Sequence, residues 1–350
     1  MRVKITNPKV VFDLQLNRRV TVIRGESASG KSWVNEIIRI MDDTSLIECE
    51  RNVLVAPTVI NGRERETLNA YNNSLLFIDE SNIQALSKVY ADAVMDLDIW
   101  VVISARTVKS YPYSADEVYS LRTSGKIKTL TKYYTHETNN RRYANNILTE
   151  DSGSGYDLLK KQGLNVHSAG GKDNIKNKLA DCMTVVFDKA AIGYRYDMLY
   201  KGAVKGVLDL IEPESFEWVL LHSDIFKGNS DIEKKINDPG RYGANDFKTW
   251  ENFFTEVLSK ALDKYQNVNY SKGNLSRCFT IQCCVKTVPC DLYSRSKSKL
   301  ENLLAISGIA YLVGADTTAN KLRKLMPPSM SRLYSDEELV SNFSHLLEEV

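Results

Sequence analysis

The chain contains few of the features that mark secreted or membrane-spanning proteins. It has six cysteines and eight prolines in 350 residues, and its 46 lysines and arginines nearly balance its 44 aspartates and glutamates. No apolar run approaches the roughly 20 residues that a helix needs to span a bilayer. Scattered cysteines are more typical of reduced thiols than of a disulfide framework, and Met1–Ile5 looks like a strand rather than a signal peptide. We therefore expect a cytoplasmic protein with no membrane partner.

Two segments of the chain differ from this average composition. Four cysteines lie close together, but their spacing is not that of a zinc site; they are Cys278, Cys283, Cys284 and Cys290. The interval 121–142 is rich in lysine and arginine. Such a stretch predicts either a solvated basic face or a surface that follows a nucleic-acid backbone. We therefore keep nucleic acid as a candidate partner.

The most informative pattern is a glycine-rich loop that reads G-x-x-x-x-G-K-S. It consists of Gly25, Glu26, Ser27, Ala28, Ser29, Gly30, Lys31 and Ser32. A β-branched run precedes this loop, and apolar residues at helical spacing follow it up to Met41. A loop between a strand and a helix can hold phosphates with its N–H groups, with Lys31 on the β- and γ-phosphates and the Ser32 hydroxyl on Mg²⁺. The motif predicts a nucleotide site, and the absence of a guanine-reading N-K-x-D favours ATP over GTP.

A second apolar run, Ser74–Ile78, ends in two acids, Asp79 and Glu80, which is a Walker B pattern. A carboxylate at the tip of a buried strand suits a Mg²⁺ ligand, and we assign that role to Asp79. Glu80 is placed to polarise the attacking water, so it is a catalytic candidate together with Lys31. The pair predicts hydrolysis of ATP as well as binding.

A third apolar run, Ile99–Ile103, predicts a neighbouring buried strand. It would bring Ser104 and Arg106 to the same sheet edge, where a sensor of the γ-phosphate would sit. Ligands of such sheets gather outside the carboxyl ends of the strands. We therefore add both residues to the predicted nucleotide site.

The rest of the chain divides by its secondary-structure signals. Short antiparallel strands are predicted before the glycine-rich loop, and a hairpin is predicted over 117–133 around Gly125. From residue 146 strands alternate with helices, which indicates a parallel sheet. Beyond residue 221 helical patterns dominate. We predict an α/β protein with domains at 1–140 and 144–220, followed by a mainly helical accessory region at 221–350.

The first domain resembles a P-loop NTPase, and its early antiparallel strands resemble those of ABC and SMC ATPases. The sequence departs from that family because no L-S-G-G signature lies between the two nucleotide motifs and no histidine switch follows the third strand, where Ser104–Arg106 stands instead. The resemblance implies a compact, divergent ATPase. We expect it to form a homo-oligomer.

The second domain resembles a TOPRIM domain, the metal-binding module of topoisomerases, primases and OLD-family nucleases. The matching segments are Leu148–Gly153 and Val186–Gly193. The resemblance assigns Glu150 and Asp188 as metal ligands, with Glu217 as an additional candidate. The family's D-x-D is Asp188-Lys189-Ala190 here, so one carboxylate is missing, and Glu217 or Asp197 would have to compensate.

An ATPase joined to a TOPRIM-like domain is the layout of OLD-type nucleases, which are associated with defence against phage. This layout gives our leading hypothesis, an ATPase whose nucleotide state controls a metal-dependent domain that acts on nucleic acid. The alternative is a nucleotide-controlled binding or signalling protein with a degenerate second domain. A small-molecule kinase is a third class, because P-loops also serve phosphoryl transfer, although no lid for an acceptor is recognisable.

Overall fold

The structure is a computed structural model that describes most of the first three quarters of the chain. The described residues are 1–25, 30–41, 43–135, 146–153, 165–181, 183–221, 228–243 and 249–262, with the single positions 156, 160, 226 and 342. They form an α/β protein with two separate sheets and two compact units. The first unit comprises Met1–Thr135, Ala190–Tyr196 and Asp238–Phe253, and the second comprises the described residues of His136–Lys189, Asp197–Asn237 and Phe254–Val350.

The helices of the described residues are short and are numbered here in chain order. They are α1 (Lys31–Ile40), α2 (Glu64–Asn69), α3 (Lys88–Asp96), α4 (Ile175–Lys178), α5 (Tyr196–Val204), α6 (Phe216–Leu221), α7 (Ser230–Asn237), α8 (Pro239–Gly243) and α9 (Trp250–Leu262). Among these described helices, none is long and apolar enough to cross a membrane.

The first unit is built on a nine-stranded mixed sheet. Its strands are β1 (Arg2–Asn7), β2 (Val10–Gln15), β3 (Val20–Ile23), β4 (Leu46–Glu48), β5 (Asn52–Val55), β6 (Ser74–Asp79), β7 (Ile99–Ser104), β8 (Val118–Ser124) and β9 (Ile127–Lys132). They lie in the order β4-β1-β2-β9-β8-β3-β7-β6-β5. From β8 through β3, β7 and β6 to β5 all neighbours are parallel, whereas β1 pairs antiparallel with β2 and with β4.

Helices cover both faces of the central parallel strands. Val34, Ile37 and Ile38 of α1 pack on one face, and α2 and α3 pack on the other. The centre of the sheet is therefore buried on both sides, which explains why β3, β6 and β7 are nearly continuous apolar runs rather than alternating ones. This continuity is the feature that made these strands recognisable in the sequence.

A hairpin of β8 and β9 lies beside β3. The two strands are antiparallel and Lys128 is the register partner of Thr123. Only the first two residues of β8, Val118 and Tyr119, pair with β3. The remainder of the hairpin therefore extends past the carboxyl end of β3, in the direction of the glycine-rich loop.

The second unit contains a four-stranded sheet that is parallel throughout. Its strands are β10 (Ile147–Thr149), β11 (Val166–Ser168), β12 (Met183–Val186) and β13 (Leu208–Ile211). They lie in the order β11-β10-β12-β13. The carboxyl ends of β10 and β12, which carry Glu150 and Asp188, are thus direct neighbours.

The structure confirms the predicted α/β class, the antiparallel start and the hairpin, and it differs from the sequence prediction in detail. The helix after the glycine-rich loop begins at Lys31 rather than at Ser32. The edge strand β4 and the helices α2 and α3 were not predicted, since a strand of three residues and helices of six and nine residues are too short to show a clear period. The cluster Cys278–Cys290 lies outside the described residues.

The central strands of the first unit should dominate its stability. Leu76 on β6 is fully buried, and its register partner Leu54 on the edge strand β5 is 38% exposed. We expect Leu76→Ala to lower the free energy of unfolding by about 2–5 kcal/mol, because it removes buried methyl groups and leaves a cavity. Leu54→Ala is the matched control and should cost less than about 1 kcal/mol. Denaturant unfolding followed by tryptophan fluorescence measures both, and equal losses would contradict the assigned core.

Candidate functional site

Three parallel strands of the first unit end in one row. Ile23, the last residue of β3, is the register partner of Ser104 on β7, and Ser104 is in turn the partner of Asp79 on β6. The pairing brings the predicted Mg²⁺ ligand and the predicted phosphate sensor beside the strand that leads into the glycine-rich loop. Because the strands are parallel, the residues that follow each of them leave the sheet at this same edge.

The helix α1 begins at this edge. Its N-terminal cap is Gly30, whose backbone is left-handed with a φ of 90°. A left-handed cap is costly for any residue with a Cβ, which accounts for glycine at this point of the motif. The first turn of the helix contains no acidic residue, so the positive end of its dipole is not neutralised from within the helix. Such a helix start favours an anion.

Lys31 is the first residue of α1 and points back toward the loop. Its ammonium donates a hydrogen bond to the carbonyl oxygen of Gly25. Partial burial lowers the pKa of Lys31, with Arg106 lowering it further and Glu80 acting in the opposite direction. The charges of Glu80 and Arg106 therefore both act on the Lys31 ammonium.

Asp79 is half-buried at the end of β6 and accepts two hydrogen bonds. The Ser81 backbone N–H donates to its Oδ1 at 3.0 Å and the Ser81 hydroxyl at 2.7 Å. The Ser32 side chain also acts on this carboxylate and lowers its pKa. Burial alone would raise the pKa of Asp79, but these hydrogen bonds outweigh it, so the pKa lies below its ordinary value and the group is a carboxylate.

Ser104, the last residue of β7, lies between the ends of β3 and β6 and is 2% exposed. Its hydroxyl has no hydrogen-bond partner among the described residues. A buried hydroxyl without a partner costs free energy, so its presence at the end of a central strand calls for an explanation. A polar ligand at this edge would supply the missing partner, and this orphaned hydroxyl is therefore a point in favour of a site here.

Most of the other predicted nucleotide-site residues fall on or next to this edge. Arg106 and Glu80 are exposed in the turns that follow β7 and β6. Gly25 lies directly beyond β3 after Arg24. Four members of the motif, Glu26, Ser27, Ala28 and Ser29, lie outside the described residues.

Two basic residues at the loop were not singled out from the sequence. Arg24 is buried directly before Gly25, and its guanidinium donates to the Tyr134 hydroxyl at 2.8 Å. Lys128 of β9 is also buried and lies against Gly30. The sequence signal for Lys128 was the basic stretch over 121–142, in which Arg122, Lys126 and Lys132 are indeed exposed. Over its described residues, 121–135, the stretch is therefore a solvated face in which Lys128 is the buried exception.

In the second unit, Glu150 and Asp188 lie together. Glu150 directly follows β10, and its Oε2 accepts a hydrogen bond from the Asp188 backbone N–H at 3.1 Å. The Glu150 N–H itself donates to the carbonyl of Val186 at 2.8 Å, so the residue is fixed at the sheet edge. The arrangement places two acidic residues at adjacent strand ends, as predicted.

The two additional ligand candidates are placed differently. Glu217 lies in the first turn of α6 and is 2% exposed. Asp197 pairs with Lys201 at 2.8 Å on α5. Within the described residues no group of three or more histidine, cysteine or acidic side chains is arranged to hold a metal ion. The described acidic constellation at this edge is therefore the pair Glu150 and Asp188.

Comparison with models of protein families, with curated proteins and with solved structures found no match. The argument for function accordingly depends on the geometry of these two edges.

The hydrogen bonds at Asp79 predict that the stability of the fold depends on pH. A carboxylate whose pKa is lowered by folding contributes stability at neutral pH, and that contribution is lost as the pH falls through the lowered pKa. We expect Ser81→Ala to raise the Asp79 pKa toward its ordinary value of 3.8, because it removes the hydroxyl donor. Carbon-detected NMR titration of the carboxyl carbon measures the shift. An unchanged pKa in this variant would contradict the assigned bond, and Ser87→Ala at the N-terminal cap of α3 is a control outside the site.

Proposed function

We propose that this chain binds ATP with Mg²⁺ at the carboxyl edge of the first unit's sheet and hydrolyses it. The observation that carries the proposal is the register of β3, β7 and β6, which places Ile23, Ser104 and Asp79 in one row at the edge where the glycine-rich loop begins. This register joins the strand that leads into the glycine-rich motif to the acid of the second motif, which lie far apart in the sequence. Ser32 of the glycine-rich motif acts on the Asp79 carboxylate and lowers its pKa. The donor set, a hydroxyl and a carboxylate, is made of the oxygen ligands that Mg²⁺ prefers.

The phosphates would lie at the start of α1, where three favourable features meet. The helix contributes its positive end, Lys31 contributes an ammonium, and Arg106 contributes a guanidinium near Lys31. The Ser104 hydroxyl, which has no partner among the described residues, would donate to a phosphate oxygen. Mg²⁺ held by Ser32 and Asp79 would supply positive charge against the phosphate oxygens.

Hydrolysis requires a group that activates water, and we assign this task to Glu80. It follows Asp79 in an exposed turn, and its charge interacts favourably with Lys31. Its carboxylate would accept a proton from water as the water oxygen bonds to the γ-phosphorus. The bond from that phosphorus to the bridging oxygen breaks, and the electron pair leaves with ADP. Lys31 would stabilise the charge that develops on the phosphate oxygens.

Variants at Lys31 and Glu80 separate binding from hydrolysis. Lys31→Ala should weaken ATP binding and lower kcat by roughly 10²–10³-fold, because it removes a charge aimed at the phosphates. Glu80→Gln should keep ATP binding but lower kcat by about 10²–10⁴-fold. Phosphate release with Mg-ATP and binding of a fluorescent ATP analogue measure the two effects. Lys88→Ala, which alters an exposed pair with Asp92 on α3, is the control.

Two outcomes would count against this assignment. Phosphate release that persists in Lys31→Ala would place the activity elsewhere. Activity in Glu80→Gln equal to that of the wild type would remove Glu80 from the mechanism while leaving the binding site intact. Running each assay with and without DNA and RNA also tests whether nucleic acid stimulates hydrolysis.

A second function is supported by the acidic pair of the second unit. We propose that Glu150 and Asp188 form a metal-dependent site that acts on nucleic acid, under the control of the nucleotide bound by the first unit. The contact between the Asp188 N–H and the Glu150 carboxylate supports it, since it holds the two acids at one edge. The resemblance to TOPRIM domains supports the same assignment. A homo-oligomer and nucleic acid remain the partners that we propose.

The nuclease proposal predicts cleavage that depends on both acids. Glu150→Ala and Asp188→Ala should abolish nicking of DNA or RNA in Mg²⁺ or Mn²⁺, because each removes one of few anionic ligands. Asp231→Ala, on the exposed surface of α7, is the control. Supercoiled plasmid and labelled RNA, incubated with and without ATP, provide the assay.

Nucleic acid that stays intact under every metal and nucleotide condition would exclude the nuclease. If Lys31→Ala then abolished function in cells while Glu150→Ala had no effect, the chain would be a nucleotide-controlled binding or signalling protein instead.

A further inference from the structure

Asn35 on α1 is a buried polar residue whose side chain is unpaired. It is 3% exposed, and neither its Oδ1 nor its Nδ2 has a hydrogen-bond partner among the described residues. The amide carries two donor hydrogens and an acceptor oxygen, and a buried polar group that stays unpaired costs free energy. An apolar side chain of similar size would avoid that cost. The stability of the fold therefore does not explain an asparagine at this position.

The position of Asn35 on the helix places its amide behind the glycine-rich motif. Asn35 follows Ser32 by three residues and Lys31 by four, and residues at these separations are neighbours on the surface of a helix. Side chains on a helix also lean toward its N-terminus. Val34 and Ile38 beside it belong to the core between α1 and the sheet. The Asn35 amide therefore lies on the buried side of the turn that carries Ser32.

Thr21 on β3 is unpaired in the same way but occupies a different position. It is fully buried, and its hydroxyl has no hydrogen-bond partner in the described part of the chain. The valines on either side of it face α2 and α3, so Thr21 faces α1, as Ile23 does. It lies inside the strand rather than at its end. The fold thus tolerates an unpaired polar group in this layer, and Asn35 is distinguished by its place beside Ser32.

The proposed role of Ser32 requires a hydrogen-bond acceptor at this turn. A hydroxyl that binds Mg²⁺ through its oxygen keeps its hydrogen, and that hydrogen needs an acceptor. In the structure the Ser32 side chain acts on the Asp79 carboxylate, but the metal ion would engage that carboxylate itself. The Asn35 Oδ1 is a buried acceptor, unpaired among the described residues, at a neighbouring position on the same helix. Groups that hydrogen-bond to a metal ligand orient it and strengthen metal binding.

We propose that Asn35 is a positioning residue of the nucleotide site, whose Oδ1 accepts a hydrogen bond from the Ser32 hydroxyl when that hydroxyl binds Mg²⁺. The inference rests on the proposed ATP site, because it names the residue that orients one of the metal ligands there. Asn35 acts through Ser32 and contacts neither the nucleotide nor the metal ion. The free energy that the unpaired amide costs the ligand-free chain is then recovered when Mg-ATP binds.

The test measures ATP binding in Mg²⁺ and in EDTA, together with the melting temperature of the ligand-free protein. Asn35→Leu should weaken binding of Mg-ATP by about 10- to 100-fold, as expected for loss of a group that orients a metal ligand. It should leave binding of ATP in EDTA unchanged. Its ligand-free melting temperature should equal or exceed that of the wild type, because an unpaired buried amide has been removed.

Two further variants make this result interpretable. Thr21→Val is the matched control, since it removes an unpaired buried hydroxyl from the same layer and should leave Mg-ATP binding unchanged. Asn35→Ala also lacks the acceptor oxygen, so it should show the same loss of Mg-ATP binding should leucine prevent folding.

A double-mutant cycle with Ser32→Ala tests whether Asn35 acts through Ser32. Without the Ser32 hydroxyl, Asn35→Leu should cause no further loss of Mg-ATP binding. A further loss in that background, or an equal loss of ATP binding in EDTA, would show that Asn35 only supports the packing of α1, and the proposal would be wrong.

The same measurements separate this proposal from the one on which it rests. If the wild-type chain binds ATP neither in Mg²⁺ nor in EDTA, the nucleotide site fails and the role of Asn35 fails with it. If the wild type binds Mg-ATP and both Asn35 variants bind it equally well, the nucleotide site stands and the role of Asn35 is excluded.

Discussion

The parallel pairing of β3 with β7 and of β7 with β6 is the constraint on which the candidate nucleotide site depends. It places Ile23, Ser104 and Asp79 in one row. A slip of one residue in either pairing would turn the side chains of a strand to the opposite face of the sheet. The register is secured because the central strands are buried on both faces, so a slip would disturb two packed cores at once. The positions of the polar side chains at this edge therefore depend on apolar residues that lie well away from it.

Several positively charged groups lie together at this edge. The start of α1, Lys31 and Lys128 are positive and close together, while Glu80 is the acid that acts on Lys31. The Asp79 carboxylate accepts hydrogen bonds from the backbone N–H and the hydroxyl of Ser81. An anionic ligand at this edge would interact favourably with the positive groups. The same reasoning explains why the Ser104 hydroxyl can remain without a partner among the described residues.

Local patterns in the sequence were sufficient to find the motif residues of the candidate site but not every residue that lies at the glycine-rich loop. Lys31, Ser32 and Asp79 follow from motifs in which spacing along the chain determines position in space. The class of the fold and the hairpin follow from periodicity and turn residues. Lys128 could not be found in this way, because its place depends on the parallel pairing of β2 with β9 and on how far the hairpin extends. Such pairings between distant segments are not encoded in the alternation of apolar and polar residues along one strand.

The proposed metal site of the second unit contains fewer charged groups than the candidate nucleotide site. At the position of the missing carboxylate stands Ala190, which is 2% exposed, and the preceding Lys189 pairs with Glu214 at 3.6 Å. Glu214 is thus neutralised within the unit, and Glu150 and Asp188 supply the negative charge of the proposed metal site. Mg²⁺ is commonly bound by one or two carboxylates together with the phosphates of a substrate, rather than by a complete cage of protein ligands. A two-carboxylate site is consistent with that mode, because the nucleic-acid phosphate would provide the remaining oxygens. On this reasoning metal and substrate would bind the second unit together, and metal affinity measured without nucleic acid would understate the capacity of the site.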